Sequence, residues 1–244
     1  MFIHRCTLCN SDNPNFTSLQ WLQDKLTSFG FPYPIKNFET LSYRHYACSS
    51  CGSSDRERLY KLYIDKYIKD KKIKLVDFAP SVPLQKYLKS KKNINYRSAD
   101  LMMVGVDDKV DITDMKKYKD NTFDFFVCSH IMEHVSDDSK AMRELFRILK
   151  PGGEGILMTP IMDRKGVFDA DTSVTDIPER WRRFAQDDHV RLYEKDIFMK
   201  RVRDSGFKIE QHDFRSLGLV SILRNGIRLK SRLYIVKKVN DGGF

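Results

Sequence analysis

Residues 123–160 read FDFFVCSHIMEHVSDDSKAMRELFRILKPGGEGILMTP. The stretch contains three elements. FDFFVCSH (123–130) is an apolar run of strand length, of the kind buried on both faces of a sheet. In DDSKAMRELFRILKPGG, Ala141, Leu145, Ile148 and Leu149 recur at helical spacing, and Pro151-Gly152-Gly153 predicts the stop. EGILMTPI (154–161) is a second apolar strand. Strand, helix and strand of these lengths predict a unit of an α/β sheet.

The same alternation extends in both directions. Upstream, Ile73–Phe78 reads as a strand and Pro83–Ser90 as a helix. Asn95–Ala99 is a second strand, ending at Asp100, and Asp107–Ile112 suggests a third. Downstream, YEKDIFMKRVRDSGF (193–207) is a helix closing on Gly206, followed by strands in KIEQHDF (208–214) and RLYIVKKV (232–239). The pattern predicts a doubly wound α/β sheet. DRERLYKLYIDKYIKD (55–70) reads as a helix capped by Asp55, with Leu59, Leu62, Tyr63 and Tyr67 on one face. Residues 1–55 lack regular periodicity and are rich in turn formers (SDNPN, FPYP, SSCGSSD). The expected organisation is a cysteine-rich module over 1–55, a connecting helix over 56–72 and the α/β domain over 73–244.

Five cysteines are present, and four form pairs: Cys6-Thr-Leu-Cys9 and Cys48-Ser-Ser-Cys51, separated by 38 residues. Two such knuckles suit a tetrahedral structural Zn2+. Four protein ligands leave no open coordination position, so the expected role is structural. His4 and His45 are then surplus. Cys128 stands inside an apolar strand and reads as core.

No apolar run approaches the roughly 20 residues of a membrane-spanning helix, and charged residues make up 31% of the chain. The opening MFIHRCTLCN lacks the basic-then-apolar order of a signal peptide, so the expected location is the cytoplasm. Net charge is +10, and residues 200–244 hold eleven Lys and Arg against four Asp and Glu. Such a balance suits nucleic acid, an anionic membrane or a phosphorylated substrate, or else a merely solvated face.

The block DITDMKKYKDNTFDFFVCSHIMEHVSDDSKAMRELFRILKPGGEGILMTP (111–160) closely resembles the middle of class I S-adenosylmethionine-dependent methyltransferases. The resemblance rests on Asp111, Asp114-Met115, Asp120-Asn121-Thr122-Phe123-Asp124, Met132-Glu133-His134 and Arg147–Gly153. It implies a Rossmann-like, seven-stranded, mostly parallel sheet with a small zinc-ribbon-like module in front. A narrower resemblance lies in Cys48–Leu59, Phe78-Ala79-Pro80, Ala99-Asp100 and Asp188–Tyr193. These pieces resemble a bacterial subgroup with an N-terminal cysteine-rich module, often associated with surface-polysaccharide genes.

Ligands of open α/β sheets bind beyond the carboxyl ends of the strands. The first loop here, Asp77-Phe78-Ala79-Pro80, has no glycine. Ala79 is small, and Pro80 stiffens the turn. A methionine moiety needs no anion nest, which fits such a wall better than a pyrophosphate would. Asp100, with Leu101 beside it, stands where a carboxylate accepts ribose hydroxyls. The resemblance places Asp111 and Ile112 at adenine, and Ser129 and His130 where the methionine end meets the substrate. Methyl transfer needs alignment and, for a hydroxyl acceptor, a base. The candidate bases are His189, which Asp188 can orient, then His130 and His134. HIMEH (130–134) has a zinc-protease spacing, but it follows a sheet strand rather than lying on a helix. Residues 163–181 are expected to form a mobile lid, with Arg180, Arg182 and Arg183 as anion contacts.

Three functions stay open. The first is O-methylation of a sugar, glycan or related small molecule, phosphorylated or acidic. The second is rRNA or tRNA methylation, with the zinc module and basic surface gripping RNA. The N/D-P-P-Y-type tetrapeptide used on base amines is missing, since Cys128-Ser129-His130-Ile131 stands in its place. The third is a scaffold without catalysis.

Overall fold

The computed structural model describes residues 3–239. The ends of the first and last expected domains therefore lie outside the described residues. The strands are β1 (Phe16–Thr17), β2 (Ala47–Cys48), β3 (Ile73–Phe78), β4 (Ile94–Asp100), β5 (Asp108–Lys109), β6 (Phe123–Ser129), β7 (Leu149–Met158), β8 (Ile161–Met162), β9 (Asp169–Ala170), β10 (Arg191–Glu194), β11 (Lys208–His212) and β12 (Leu233–Lys237). The α-helices are α1 (Gln20–Ser28), α2 (Asp55–Tyr67), α3 (Val82–Lys89), α4 (Asp138–Ile148), α5 (Ile177–Phe184), α6 (Lys195–Asp204), α7 (Phe214–Leu217) and α8 (Leu219–Arg224). The chain divides into two compact units. One gathers residues up to 69 with 160–195 and 212–233. The other holds 70–159, 196–211 and the residues from 234 on.

The second unit carries a seven-stranded sheet in the order β11-β12-β7-β6-β3-β4-β5. β3 pairs in parallel with both β4 and β6, and β6 with β7, while β12 runs antiparallel to β7. From β3 the chain builds outward through β4 and β5, then returns to β6 on the other side. This reversal puts the topological switch point between β3 and β6. β3 and β6 are buried almost throughout, which explains their unbroken apolar sequence. α4 is capped by the Asp137 side chain, which accepts from Lys140 N at 2.8 Å, and it buries Ala141, Met142, Leu145 and Ile148.

Two expectations shift. The stop after α4 comes earlier than Pro151 predicts. Leu149 is already extended and pairs with Phe123, and β7 runs on through Pro151-Gly152-Gly153 with a register irregularity between Phe123 and Phe125. β5 is only two residues long. Its flanking acids Asp107 and Asp111 turn the chain, accepting from Ser98 N and Thr113 N.

In the first unit β1 and β2 pair antiparallel, aligning Phe16 with Cys48, and β8-β10-β9 form a small sheet. The helix expected from Asp55 is α2, but its cap is Ser54. Ser54 Oγ accepts from Glu57 N while Glu57 returns a carboxylate to Ser54 N, a capping box. Asp55 instead lies inside, accepting from Ser42 N at 2.5 Å. The buried face is Leu59, Tyr60, Tyr63 and Ile64. Leu62 and Tyr67, expected on that face, are half-buried. The segment expected to form a lid has a core of its own. Met162, Val167, Trp181, Phe184 and Leu192 pack with Leu26, Phe31, Ile35, Phe38 and Leu41.

Candidate functional site

Parallel register fixes which strand ends meet. Phe78 pairs with Ala99 on one side and with Cys128 on the other. The residues that follow, Ala79, Asp100 and Ser129-His130, therefore emerge side by side at the switch point. Ala79 has φ +49° and His130 φ +57°. Left-handed backbone costs a non-glycine residue about 1 kcal/mol, and such residues concentrate where function demands a sharp turn. Ala79 N is held by Ala99 O at 2.9 Å and His130 N by Met158 O at 2.8 Å. Phe78 and Pro80 are buried. Asp77 is also buried and accepts from Tyr96 Oη at 3.1 Å. Ser81 caps α3 from just beyond the loop.

Asp100 uses one carboxylate oxygen, Oδ1, to hold Met102 N at 2.7 Å and Met103 N at 2.6 Å. Asp111 likewise uses Oδ1 for Thr113 N and Oγ1, both at 2.8 Å. Among the described residues neither Oδ2 takes a protein donor. Each acid thus fixes its own loop and keeps one oxygen for a ligand hydroxyl or amine, which fits the donor set of an adenosine moiety. Leu101 is 56% exposed next to Asp100, whereas Ile112 is 6% exposed and packs inward.

Glu133, in the Met132-Glu133-His134 motif, is the buried centre of the histidine turn. It is 1% exposed. Its Oε2 accepts from Thr159 Oγ1 at 2.9 Å, and its Oε1 lies 3.1 Å from His130 Nδ1 and 3.9 Å from His134 Nε2. Neither contact has hydrogen-bond geometry, so Glu133 faces the two rings as a buried carboxylate between them. The signal was available as a Glu three residues after a strand-end His. Cys128 is fully buried, and burial pushes its thiol well above the ordinary range.

In the first unit, His189 is 5% exposed and its Nδ1 lies 3.0 Å from Phe184 O. Asp188 is exposed and accepts from Gln186. The three arginines expected as anion contacts are engaged internally. Arg183 binds Asp169 and Asp171, Arg182 binds Glu179, and Arg180 donates to Val174 O and Asp187 O.

The four paired cysteines come together. Their Sγ atoms all lie within 4.8 Å of one another, with Cys6–Cys51 at 3.7 Å and Cys9–Cys48 at 3.9 Å. A zinc tetrahedron with Zn–S near 2.3 Å has S–S edges of about 3.8 Å, so the donor set fits Zn2+ in chemistry and size. None of these cysteines is in a disulfide. Ser53 Oγ lies 3.3 Å from Cys6 Sγ and 3.2 Å from Cys51 Sγ. Beneath them Arg58 is fully buried, donating to the carbonyls of His45, Tyr46, Ser53 and Asn225. Nothing in the pattern around Arg58 marks that role, because its partners lie in distant loops.

Of the eleven cations over 200–244, seven are held by carboxylates. Lys200, Arg201, Lys208, Arg215, Lys230, Arg232 and Lys237 each pair with a carboxylate.

A sheet of this order, with its switch point flanked by two left-handed residues and acids on the next loops, has the architecture of class I methyltransferases. Residues 62–157 match the family described as a methyltransferase domain. Over 128 residues the chain is 30% identical to the ubiquinone/menaquinone biosynthesis C-methyltransferase UbiE of Roseobacter denitrificans, covering 46% of this chain and 49% of that protein. It is 29% identical over 121 residues to the protein of the same name from Pasteurella multocida, 44% of each chain. The chain thus spans about half the length of the curated relatives it matches. Among solved structures, the (4+2)-cyclase SpnF gives a TM-score of 0.51 at 15% identity, over 93% of this chain and 98% of that one. Phosphoethanolamine N-methyltransferase 2 of Haemonchus contortus, in complex with S-adenosyl-L-methionine, gives 0.51 at 12% identity, over 77% and 53%. Identities this low show a shared fold alone. No helix among the described residues is long and apolar enough to cross a membrane.

Proposed function

We propose that the chain is an S-adenosylmethionine-dependent methyltransferase whose acceptor is a hydroxyl of a sugar, glycan or related small molecule. The observation that carries this reading is the convergence of Ala79, Asp100 and His130 at one switch point, two of them left-handed. When bound, the cofactor supplies an electrophilic methyl group. The residues do the rest. The Ala79-Pro80 wall and Ser129 border the methionine end. The free oxygens of Asp100 and Asp111 accept from ribose and adenine, and exposed Leu101 offers an apolar surface beside them. His130, with the Glu133 carboxylate 3.1 Å from its Nδ1, takes the acceptor's proton on Nε2. On burial grounds His130 suits this task better than His189, and His134 is a neighbour of the same carboxylate. The cysteine cluster holds a structural Zn2+, and removing it should unfold the module.

A small acceptor is favoured over RNA because seven of the eleven cations in the C-terminal stretch are paired with carboxylates, some from within it and some from residues 138–163. The test is a labelled-methyl transfer screen over nucleotide sugars, rRNA and a quinone-type carbon acceptor, with metal content measured alongside. Transfer to a carbohydrate hydroxyl is expected. Specific transfer to rRNA, or to carbon, refutes the acceptor assignment. Calorimetry with S-adenosylmethionine isolates the cofactor question. Asp100→Ala should weaken binding by at least about tenfold, the value of one hydrogen bond to a charged group. Unchanged affinity removes Asp100 from the site, and no binding by the unaltered protein would favour a scaffold.

A further inference from the structure

The sheet unit has a concave feature along one face of the sheet, reaching from the starts of β3 and β6 to Asp108, which pairs with Ala99. It is a cavity of about 330 Å³ lined by Lys74, Arg97, Asp108, Lys117 and Lys119, with Tyr118 and Phe123 behind them. Lys74 and Phe123 lie at the start of β3 and β6, whereas Ala79 and Ser129 lie at their ends. Five residues of strand separate Lys74 from Ala79, roughly 17 Å at the usual rise. None of Ala79, Asp100, Asp111, Ser129 and His130 lines it, so a molecule here is distinct from the methyl donor.

The charges are unbalanced. Asp108 is the one acid lining the cavity and is fully buried. It accepts from Arg97 Nε, from Arg97 Nη2 at 2.9 Å, from Lys117 Nζ and from Tyr118 Oη at 2.8 Å. These donors, Arg97 foremost, hold its carboxyl well below the usual carboxylate range. One negative charge thus draws two cations together, both about half exposed. Lys74 Nζ sits 5.0 Å over the Phe123 ring. Among the described residues neither Lys74 nor Lys119 pairs its ammonium with a carboxylate. The lining therefore carries four positive charges against one. Asp107 also bears on Arg97, but its carboxylate is bound to Ser98 N and Oγ, outside the lining.

We propose that this cavity binds a small phosphate-bearing anion, such as a sugar phosphate or pyrophosphate. An excess of about three positive charges around a partly enclosed space lowers its energy by taking up a dianion. Arg97 presents a planar fork, and the lysines present point charges, the combination that suits phosphoryl oxygens. A carboxylate would leave most of the excess in place. Asp108 does not oppose the ligand from the rim. It lies beneath the cations and sets their positions.

The test is calorimetric titration of the full chain with pyrophosphate and with ribose 5-phosphate at low ionic strength. Saturable one-to-one binding is expected. Lys74→Gln with Lys119→Gln should weaken it by at least about tenfold, since two charge-assisted contacts go. Its thermal midpoint should not change, because neither ammonium holds a carboxylate. Asp108→Asn releases Arg97 and Lys117 from their fixed positions and should weaken binding. Asp100→Ala should leave it alone, which separates this site from the proposed cofactor site. Absence of saturable binding overturns the proposal, as does equal binding by the double lysine variant. Tight binding of single-stranded RNA with little response to either small phosphate also overturns it.

Discussion

Asp108→Asn is the substitution whose consequences can be worked furthest from the structure. The side chain is fully buried and takes two N–H groups of Arg97, the ammonium of Lys117 and the hydroxyl of Tyr118. Asparagine keeps the shape and still accepts from Tyr118, but it loses the charge and turns an amide toward a cation. Breaking a buried ion pair costs about 3–5 kcal/mol when the orphaned charge stays buried. Here Arg97 and Lys117 are 45% and 52% exposed and can rehydrate. The expected cost is therefore about 2 kcal/mol. For a chain of this length that lowers the midpoint by roughly 4–8 °C. Acid provides the control. Because the folded state holds this carboxyl below its ordinary value, its stabilisation is complete above the unfolded pKa near ~3.9 and drains away as pH falls toward the folded value. At pH 3 about 1 kcal/mol of the difference between the two proteins should be gone. The assay is thermal unfolding followed by circular dichroism at pH 7 and pH 3. Equal midpoints at pH 7 would refute the reasoning. A gap of the same size at both pH values would show that the loss comes from packing rather than charge.

Other substitutions probe the remaining parts. A Cβ at Gly155 would stand 2.4 Å from Phe126 Cζ and 2.5 Å from Cε1, inside a closed sheet, so Gly155→Ala should cost about 1–3 kcal/mol; an unshifted urea midpoint would contradict the packing. Arg58→Met keeps the aliphatic stem but strips donors from the carbonyls of His45, Tyr46, Ser53 and Asn225. Hydrogen-exchange protection should fall around both 45–53 and 221–226, and local loss at 45–53 alone would mean that Arg58 does not join them. Glu133→Gln keeps the Thr159 bond but removes the charge beside His130. It should lower kcat by roughly 10- to 100-fold with little change in donor affinity; an unchanged kcat dismisses Glu133 as a positioning residue.

Much of the scaffold is readable along the chain because its physics is local. The apolar runs at 73–78 and 123–129 must be buried on both faces, so they can only be inner strands. The turn chemistry and stripe of 137–149 leave only a helix. Asp100 and Asp111 could be placed at loops because each follows a strand. Local patterning failed where partners are distant. Ser54 and Asp55 both have cap chemistry, and only Ser42 N, reaching Asp55 from another loop, decides that Ser54 is the cap. The basic stretch at 200–244 suggested a polyanion partner, because acids such as Asp138, Glu154 and Asp163 that pair with it lie far back in the chain.

Sequence alone determined the alternating strands and helices of the main sheet, the cysteine knuckles and the positions of the strand-end acids, all set by hydrophobic period, turn residues and spacing. Tertiary structure decided which of these meet. It set Ala79 beside His130 through the parallel register of β3 and β6, turned Glu133 under the histidines, drew the four sulfurs to tetrahedral separations, and buried Arg58 beneath them. It also gathered four cations around one cavity from three separate stretches of chain. Side chains brought together across long loops leave no periodic trace in sequence, since the loop-closure and packing energies that unite them depend on the whole fold.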